Sequence, residues 1–393
     1  MYVSYNYKES FNLLIAMVFN KAYKFRIYPN VTQRILLAKT FGCVRVLWNR
    51  SVKTFYSYDK ETNPNPKYQT STEMRNELEW MQEVSASALQ QKENDFTEYK
   101  RQKFNKNRKK QLGLPQFKKK HDWQSFRLPM PKFYIKGKKI HLERIGKVKI
   151  VIHREVPKDV KFVNVTVSKN KAGQYFASIL VEEAIKQKPK TNKINGFDVG
   201  VNTFLKTSDN VEVANPRYFC KNQAKLAHLQ QLQSRKIGSK KDEPKSRRWL
   251  KLQKRINRLH RKIANQRKWF LHNVSNMLVN NYDVIYSEKL NVAGMLRNHN
   301  LAKSIADVSW SEFFSYLEYK CKWYGKHYHQ IGMFQPSTKT CTHCGEKDNS
   351  ITLKDRIITC PFCNFTEDRD LRAAKNILAF GVEEALQMSE RCT

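Results

Sequence analysis

The sequence has no long run of apolar residues. The longest candidate near the N-terminus, residues 13–19 (LLIAMVF), falls far short of the ~18 residues that a membrane-spanning helix needs. Only Lys8, offset by Glu9, stands before it, and no small-residue cleavage site follows, so the pattern argues against a signal peptide. We therefore expect an intracellular protein.

Acidic residues are scarce. The 393 residues include 73 Lys and Arg against 35 Asp and Glu, a formal net charge of +38. Self-repulsion of this size favours binding of a polyanion, and we expect nucleic acid because each phosphate contact releases condensed counterions. A lipid surface would instead require a short basic cluster beside an anchor, whereas these basic residues are spread along the chain. A Lys-rich composition of the whole genome is the remaining alternative.

Cysteine is too rare and too unevenly spaced for a disulfide framework. Of eight cysteines, four stand singly and four form two Cys-x-x-Cys pairs, which is typical of a metal site in a reducing compartment. The spacing Cys341-x2-Cys344-x15-Cys360-x2-Cys363 matches tetrahedral four-cysteine zinc sites. Four thiolates leave no open position for water, so we expect one structural Zn2+ and no catalytic role for it.

The first third of the chain mixes one strand with helices. Residues 1–20 look detached, with Met17 as an alternative start, and the text from Lys21 (KAYKFRIYP) alternates like a strand. Apolar residues at helical spacing follow, interrupted by Gly42, and a second helical stretch covers about residues 72–104.

The rest of the chain predicts a β-rich segment and then strands alternating with helices. Residues 125–183 carry β-forming runs separated by Gly, Lys and Asn turns. A linker (AIKQKPKTNK) leads to the strand text INGFDVGVNTFLKTSD, and YDVIYSEKLN predicts a short strand ending in an acid. The text DVSWSEFFSYLEYKCKWYGKHYH predicts an amphipathic helix, and HQIGMF a strand after it.

Two stretches carry most of the one-sided charge. Residues 100–121 hold ten Lys and Arg and no acid, with aromatic residues interleaved, a pattern that suits base stacking and phosphate contact. A solvated, partly mobile loop is the alternative there. Residues 225–268 predict a polar helix pair with sixteen Lys and Arg against only Asp242 and Glu243, and we expect it to lie along a nucleic-acid backbone.

Three acids stand out in so basic a chain. Asp198 sits in GFDVG after a strand, Glu288 ends the strand text DVIYSE, and Asp370 opens the final helix. Each alone is more often a cap or a surface acid. Together they suit Mg2+, which prefers oxygen ligands, and two such ions about 4 Å apart promote phosphodiester hydrolysis. They can converge only if the fold brings strand ends together.

Four motifs resemble a known family. The texts GFDVGVNTFLKTSDN, YSEKLNVAGMLRN, PSTKTCTHCG and DRDLRAAKNIL resemble the three RuvC-like segments and the inserted zinc ribbon of transposon-encoded TnpB proteins, compact relatives of type V CRISPR effectors and of Fanzor proteins. The upstream texts YKFRIYPNVTQRILLAKTFGCVRVLWN and GQYFASILVEE are also similar to the family's. The resemblance extends over residues 21–378.

The resemblance implies an α/β multidomain fold. A RuvC-like, RNase H-like nuclease domain would carry the inserted four-cysteine zinc ribbon, and a β-barrel-like wedge domain would surround a helical recognition insertion. The implied boundaries are an N-terminal extension at 1–20, the wedge at 21–34 and 123–190, the recognition domain at 35–122 and the nuclease domain at 191–393, including basic helices at 222–280 and the ribbon at 338–366.

The resemblance also implies an activity and its partners. The chain would be an RNA-guided DNA endonuclease that binds a noncoding guide RNA from its transposon's end, recognises a short motif beside the double-stranded target, and cuts at a single Mg2+ site. It would be monomeric in the RNA complex, nucleoid-associated in a prokaryotic cytoplasm or nuclear in a eukaryote. A repressor that binds without cutting, an RNA-independent transposase or resolvase, and a zinc-ribbon transcription factor are the competing hypotheses; the last leaves the three acids unexplained.

By matching motifs, Asp198, Glu288 and Asp370 would be the first, second and third metal-binding acids. Asp370 is preferred to Asp368 because the family's third acid lies two residues before the position of Arg372. That position is usually Asn in the family. An arginine there would contact phosphate or crowd the metal ions.

Overall fold

The computed structural model describes residues 17–390 except 60, 109–110, 241–242, 334 and 353–354. Most of the predicted N-terminal extension, residues 1–16, lies outside this part, while residues 17–20 belong to the first strand. Contacts divide the chain into two units, Val18–Ala184 and the chain from Ile185 onward. A search of the described helices finds none that has both the length and the apolar character required to cross a bilayer.

The first unit combines a sheet with helices, as the sequence predicts. Its elements are β1 (Met17–Tyr28), α1 (Val31–Tyr56), α2 (Ser71–Glu77), a 3-10 helix (Glu79–Glu83), α3 (Ala86–Lys103), β2 (Gln124–Pro129), β3 (Phe133–Lys136), β4 (Lys139–Leu142), β5 (Gly146–Val151), β6 (Lys161–Lys169) and β7 (Tyr175–Ile185). Helix α1 begins at a capping box between Asn30 and Gln33 and runs through Gly42 without a break. The seven strands form one sheet in the order β2-β6-β7-β1-β5-β4-β3.

The second unit is built around a five-stranded sheet. Its elements are β8 (Ile194–Val199), β9 (Thr203–Thr207), β10 (Glu212–Ala214), α4 (Tyr218–Ser234), α5 (Arg247–Asn281), β11 (Val284–Glu288), α6 (Val292–Met295), α7 (Ala302–Val308), α8 (Trp310–Tyr324), β12 (His327–Ile331), β13 (Ile357–Thr359), β14 (Thr366–Asp368) and α9 (Arg369–Glu390). The sheet order is β10-β9-β8-β11-β12, in which β8, β11 and β12 are parallel and β9 and β10 run antiparallel to their neighbours.

Helices cover both faces of this sheet. On one face, Phe197 of β8 and Ile285 of β11 enter a core with apolar residues of α5 and α8. On the other face, Tyr286 packs with Ile331 and with Ile377 of α9. Because side chains alternate between the two faces of a strand, Gly196 and Asp198 share the α9 face, as do Tyr286 and Glu288.

The ribbon continues directly into the last helix. Strands β13 and β14 pair from Ile357↔Asp368 to Thr359↔Thr366, and α9 begins at Arg369, the residue after β14. No linker separates the cysteine pairs from Asp370, since the second strand of the ribbon leads straight into the helix that bears this acid. The fold is therefore mixed α/β, as predicted, while the predicted domain boundaries stay predictions.

Candidate functional site

The ends of two parallel strands bring Asp198 and Glu288 together. Strands β8 and β11 pair in register up to Phe197↔Ser287, and the two acids follow one residue later on their respective strands. Because side chains alternate between the two faces of a strand, both acids point to the face that α9 covers. The register of these two parallel strands thus brings together two acids that are 90 residues apart in the sequence.

Helix α9 lies unusually close to this face. A Cβ atom added to Gly196 of β8 would come within 2.5 Å of Leu378 N and 2.7 Å of Ala374 O, and one added to Gly381 would come within 2.2 Å of the Tyr286 ring. Only glycine allows this approach of helix to sheet. Because Asp370 lies in the first turn of α9, the close packing brings it to the same end of the sheet as the other two acids.

We expect Gly196→Ala to destabilise the second unit. The new methyl group would meet helix backbone, which cannot rotate away, so α9 must shift and overpacking should cost about 1–3 kcal/mol or more. The midpoint of thermal unfolding measures this. The matched control is Gly113→Ala, whose Cβ meets nothing within 4 Å; equal midpoints for the two variants would contradict the close contact.

The negative charges of both other acids act on Asp198. Burial and then the negative charges of Glu288 and Asp370 raise the pKa of Asp198 to about 8. The Val199 N–H donates to its Oδ1 at 2.8 Å and offsets only part of this. A carboxylate held among like charges gains most from a cation, since the cation removes the repulsion.

Among the described residues, Ser337 alone hydrogen-bonds to the Glu288 carboxylate. Burial raises the pKa of Glu288, and the Ser337 hydroxyl, which donates a hydrogen bond to Oε1, partly offsets that effect. Ser337 stands 49 residues away, just before the ribbon, and no sequence pattern marks it as part of the site. In the sequence, Ser337 is visible only as one of several polar residues in the motif PSTKTCTHCG.

Two arginines accompany Asp370, while Asp368 has a different role. Arg356 of the ribbon lies 3.4 Å from Asp370 Oδ2, and Arg369 Nη2 lies 3.1 Å from Oδ1. Asp368 accepts hydrogen bonds from Lys206 Nζ at 2.9 Å and from the Leu371 N–H at 2.9 Å, so it caps α9. Burial favours the neutral form of Asp368, but these hydrogen bonds prevail and lower its pKa.

The three acids are more widely spread than the ligands of a single ion. Among the described residues, only Cys341, Cys344, Cys360 and Cys363 bring three or more potential ligand atoms within 4.8 Å of one another. The carboxylates nevertheless provide the hard oxygen donors that Mg2+ prefers, and the charges of two of them act on the third.

The four cysteines form a compact cluster suited to zinc. The Sγ atoms of Cys341 and Cys363 lie 3.7 Å apart, and those of Cys344 and Cys360 also lie 3.7 Å apart. Tetrahedral Zn–S bonds of about 2.3 Å would place two sulfurs about 3.8 Å apart. The cluster could therefore hold a zinc ion.

Arg372 is fully buried. Its Nη2 donates to the Ile358 carbonyl of β13 at 3.2 Å, while Nε and Nη1 have no partner among the described residues. Both roles considered from sequence, contact with phosphate and crowding of metal ions, required a guanidinium directed at the acids or at solvent. In this structure the side chain instead joins α9 to the ribbon, which corrects both expectations.

Helices α4 and α5 present a basic surface. Leu226 of α4 packs against Ile256, Leu259 and Ile263 of α5, and the intervening positions of α5 face outward. Lys268, near the middle of α5, forms an ion pair with Glu312 at 3.6 Å. Within the described residues, no carboxylate forms an ion pair with the exposed basic side chains at 247–262, which are Arg247, Arg248, Lys251, Lys254, Arg255, Arg258 and Lys262. The predicted helix pair is confirmed, and its outer face is available to phosphate.

Three family models match parts of the chain. A "Cas12f1-like, TNB domain" covers residues 310–377, a family described as "Probable transposase" covers residues 176–299, and a "Helix-turn-helix domain" covers residues 17–54. The first two together contain all three acids and all four paired cysteines. Over residues 17–54 the structure has strand β1 followed by most of α1.

Relatives match along nearly the whole length. A protein of Streptomyces pristinaespiralis named "Putative RNA-guided DNA endonuclease" is 32% identical and covers 92% of this chain and 89% of the relative. InsQ of Escherichia coli (strain K12), which carries the same designation, is 28% identical and covers 92% of both. A solved chain from a Cas12f1–sgRNA–target DNA complex has a TM-score of 0.54 at 13% identity, covers 92% of this chain and 98% of that chain, and shares its fold.

Proposed function

The chain belongs to the TnpB family of transposon-encoded proteins, and we propose that it is an RNA-guided DNA endonuclease with one Mg2+-dependent, RuvC-like site. The observation that carries the proposal is the convergence of three acids from β8, β11 and α9, which leaves Asp198 with a pKa of about 8. Relatives of nearly the same length are named RNA-guided DNA endonucleases, and the chain that shares the fold comes from a complex with sgRNA and target DNA.

Each acid has a distinct role in this proposal. Asp198, Glu288 and Asp370 would bind two Mg2+ ions, which supply an activated water and stabilise the leaving oxygen. Asp198 would gain most from bound cations because the charges of both other acids act on it, and the positive charges of Arg356 and Arg369 beside Asp370 would help to offset the charge of that carboxylate.

The remaining domain roles follow the same proposal. The parallel strands β8, β11 and β12, with helices on both faces, support an RNase H-like nuclease domain. We assign the seven-stranded sheet of the first unit to the wedge and the helices within it to guide and target recognition. The four cysteines would hold one structural Zn2+. Guide RNA pairing would read the target sequence, so the protein needs mainly backbone contacts.

The basic face of α5 should contact the phosphates of the guide RNA. We expect the quadruple variant Lys251→Gln, Lys254→Gln, Arg258→Gln and Lys262→Gln to bind RNA more weakly. In a plot of log affinity against log salt concentration, the slope should become shallower by up to about 3. Each phosphate contact with a single strand contributes about 0.7 to this slope, and the variant loses four charges. Filter binding between low and physiological salt measures the slope.

The charge-preserving variant with Lys251→Arg, Lys254→Arg, Arg258→Lys and Lys262→Arg is the matched control. It should retain the wild-type slope, because counterion release depends on charge and not on the head group. A glutamine variant with an unchanged slope would exclude this face from the RNA interface.

The direct test of function begins with the RNA that the protein binds. The protein is expressed from its locus with flanking DNA and purified, and the associated RNA is sequenced. We expect one dominant RNA that maps to the element's end and continues into variable flank. The complex, supplied with Mg2+, should then cut a DNA target that matches this guide; intact target DNA in such a reaction would refute the nuclease proposal.

An RNA-independent transposase is the second candidate, because one matching family model is described as "Probable transposase". A fold alone does not distinguish the two, since RNase H-like folds support both activities. Cleavage or strand joining at the element's ends by RNA-free protein would favour the transposase, and a featureless mixture of bound RNAs would point the same way.

A further inference from the structure

The segment that leads into the zinc ribbon contacts the acid cluster. Ser337 stands four residues before Cys341 and is 4% exposed. Its hydroxyl donates a hydrogen bond to Oε1 of Glu288. Among the described residues, no other group donates a hydrogen bond to this carboxylate. Oε2 remains free to bind a cation.

The last helix fixes Ser337 in turn. Asn376 of α9 is 5% exposed, and its Nδ2 donates to the Ser337 carbonyl at 2.6 Å and to the Thr340 carbonyl at 2.7 Å. Asn376 lies six residues after Asp370 on the same helix, a rise of about 9 Å. Residues 337–340, which lead into the ribbon, are called its neck here. A continuous chain of hydrogen bonds therefore runs from the helix that carries Asp370, through this neck, to the side chain of Glu288.

We propose that Ser337 is a positioning residue, which orients the Glu288 carboxylate and fixes it relative to the helix that carries Asp370. The inference rests on the proposed function, because it assigns Ser337 to the metal site of that nuclease. A glutamate side chain has three rotatable bonds, and a carboxylate without a partner occupies several rotamers. A hydrogen bond from outside the ligand shell selects the one that binds metal, and losing such a partner typically costs about 10–100-fold in affinity or activity.

The position of the ribbon in the chain then has a physical reason. The neck that carries Ser337 is held by the ribbon at Cys341 and by α9 at Asn376. A ribbon inserted elsewhere would fold equally well around zinc but would leave Glu288 without its partner. The inserted module is thus part of the geometry of the acid cluster and not an appendage.

The test compares Ser337→Ala with Ser337→Thr in the full-length protein with its RNA. Ser350→Ala is the matched control, because Ser350 lies in the same ribbon, is exposed and donates its hydroxyl to Asp348 alone among the described residues. At limiting Mg2+, Ser337→Ala should cut DNA about 10–100-fold more slowly, and saturating Mg2+ should restore much of the rate. Ser337→Thr, which keeps the hydroxyl, and Ser350→Ala should match the wild type.

Binding of Mn2+, measured by electron paramagnetic resonance, provides a readout that needs no cleavage. Ser337→Ala should bind Mn2+ about tenfold more weakly with its zinc content unchanged. Ser337→Cys, which keeps the volume with a weaker donor, should behave likewise. Wild-type Mn2+ affinity in both variants would overturn the proposal. So would loss of zinc from both, because Ser337 would then act on ribbon folding. A wild-type protein that binds Mn2+ but cuts nothing would refute the nuclease alone, and the Mn2+ comparison would still decide the role of Ser337.

Discussion

Asp198→Asn should abolish cleavage of target DNA while leaving RNA and target binding intact. The substitution keeps the shape of the side chain and removes the charge at the centre of the three acids. Metal ions at such a site contribute several kcal/mol of transition-state stabilisation, which corresponds to a loss of about a thousandfold or more in rate. Single-turnover cleavage with a saturating RNA complex measures the rate, and an electrophoretic shift measures binding.

The neighbouring acids Asp368 and Asp370 provide the matched pair for this prediction. Asp370→Asn should be as inactive as Asp198→Asn. Asp368→Asn keeps a side-chain oxygen that can cap α9 and loses only the ion pair with Lys206, so it should lose at most about 1 kcal/mol of stability and still cut. The reverse order of activities would transfer the third metal ligand to Asp368. Wild-type rates in Asp198→Asn would refute the assignment of the site.

The same Asp198→Asn substitution makes a prediction about stability. The folded pKa of Asp198, about 8, lies above its ordinary value of 3.8, so the folded state binds the proton more tightly than the unfolded state. The wild type should therefore lose stability relative to the variant as pH rises from about 4 to about 8, in buffer without Mg2+. Added Mg2+ should stabilise the wild type more than Asp198→Asn, and parallel melting profiles across this pH range would contradict the buried, repelled carboxylate.

Cys360→Ser should remove the zinc ion and unfold the ribbon. Cys360 is 1% exposed and completes the four-sulfur cluster, and the folding of such modules is coupled to metal binding worth about 10–16 kcal/mol in zinc-finger peptides. Metal analysis should show one zinc per wild-type chain and almost none in the variant. Limited proteolysis should cleave the variant between β12 and α9.

This substitution should also abolish DNA cleavage, although Cys360 is not one of the acids that would hold Mg2+. The ribbon supplies Arg356 to Asp370 and the Ile358 carbonyl to the buried Arg372, and it fixes the segment before it that brings Ser337 to Glu288. Its unfolding should therefore release both acids and free a buried guanidinium. Cys220→Ser is the control, because Cys220 is exposed on α4 and outside the cluster. A zinc-free Cys360→Ser protein that melts and cuts like the wild type would exclude a structural role for the ribbon.

The sequence was sufficient for features that residue type and short spacing define. Two Cys-x-x-Cys pairs can form tight knuckles wherever the chain places them, and the structure brings the four sulfurs together. Helix α5 was predictable because its apolar residues recur at helical spacing, while its ten basic residues disfavour burial of the other face. Strand β11 and the acid at its end were equally visible in the text DVIYSE.

Where sequence patterns failed, the reason was local and identifiable. The β-forming residues 126–142 (FRLPMPKFYIKGKKIHL) belong to the segment predicted as β, but they form the end of β2 and then β3 and β4, because turns at 130–132 and 137–138 divide them. The predicted helix at 72–104 consists of α2, a 3-10 helix and α3, since Ser85 caps a new helix.

The sequence by itself determined that this chain is basic, carries a four-cysteine cluster and places acids at strand and helix ends. Only the tertiary structure decided which groups meet: Ser337 with Glu288 across 49 residues, Lys206 with Asp368 across 162, and Arg372 with the ribbon carbonyl instead of with phosphate. Those contacts depend on strand register and on a helix approach that two glycines permit. Register and approach are properties of packed surfaces, so no local pattern of residues encodes them.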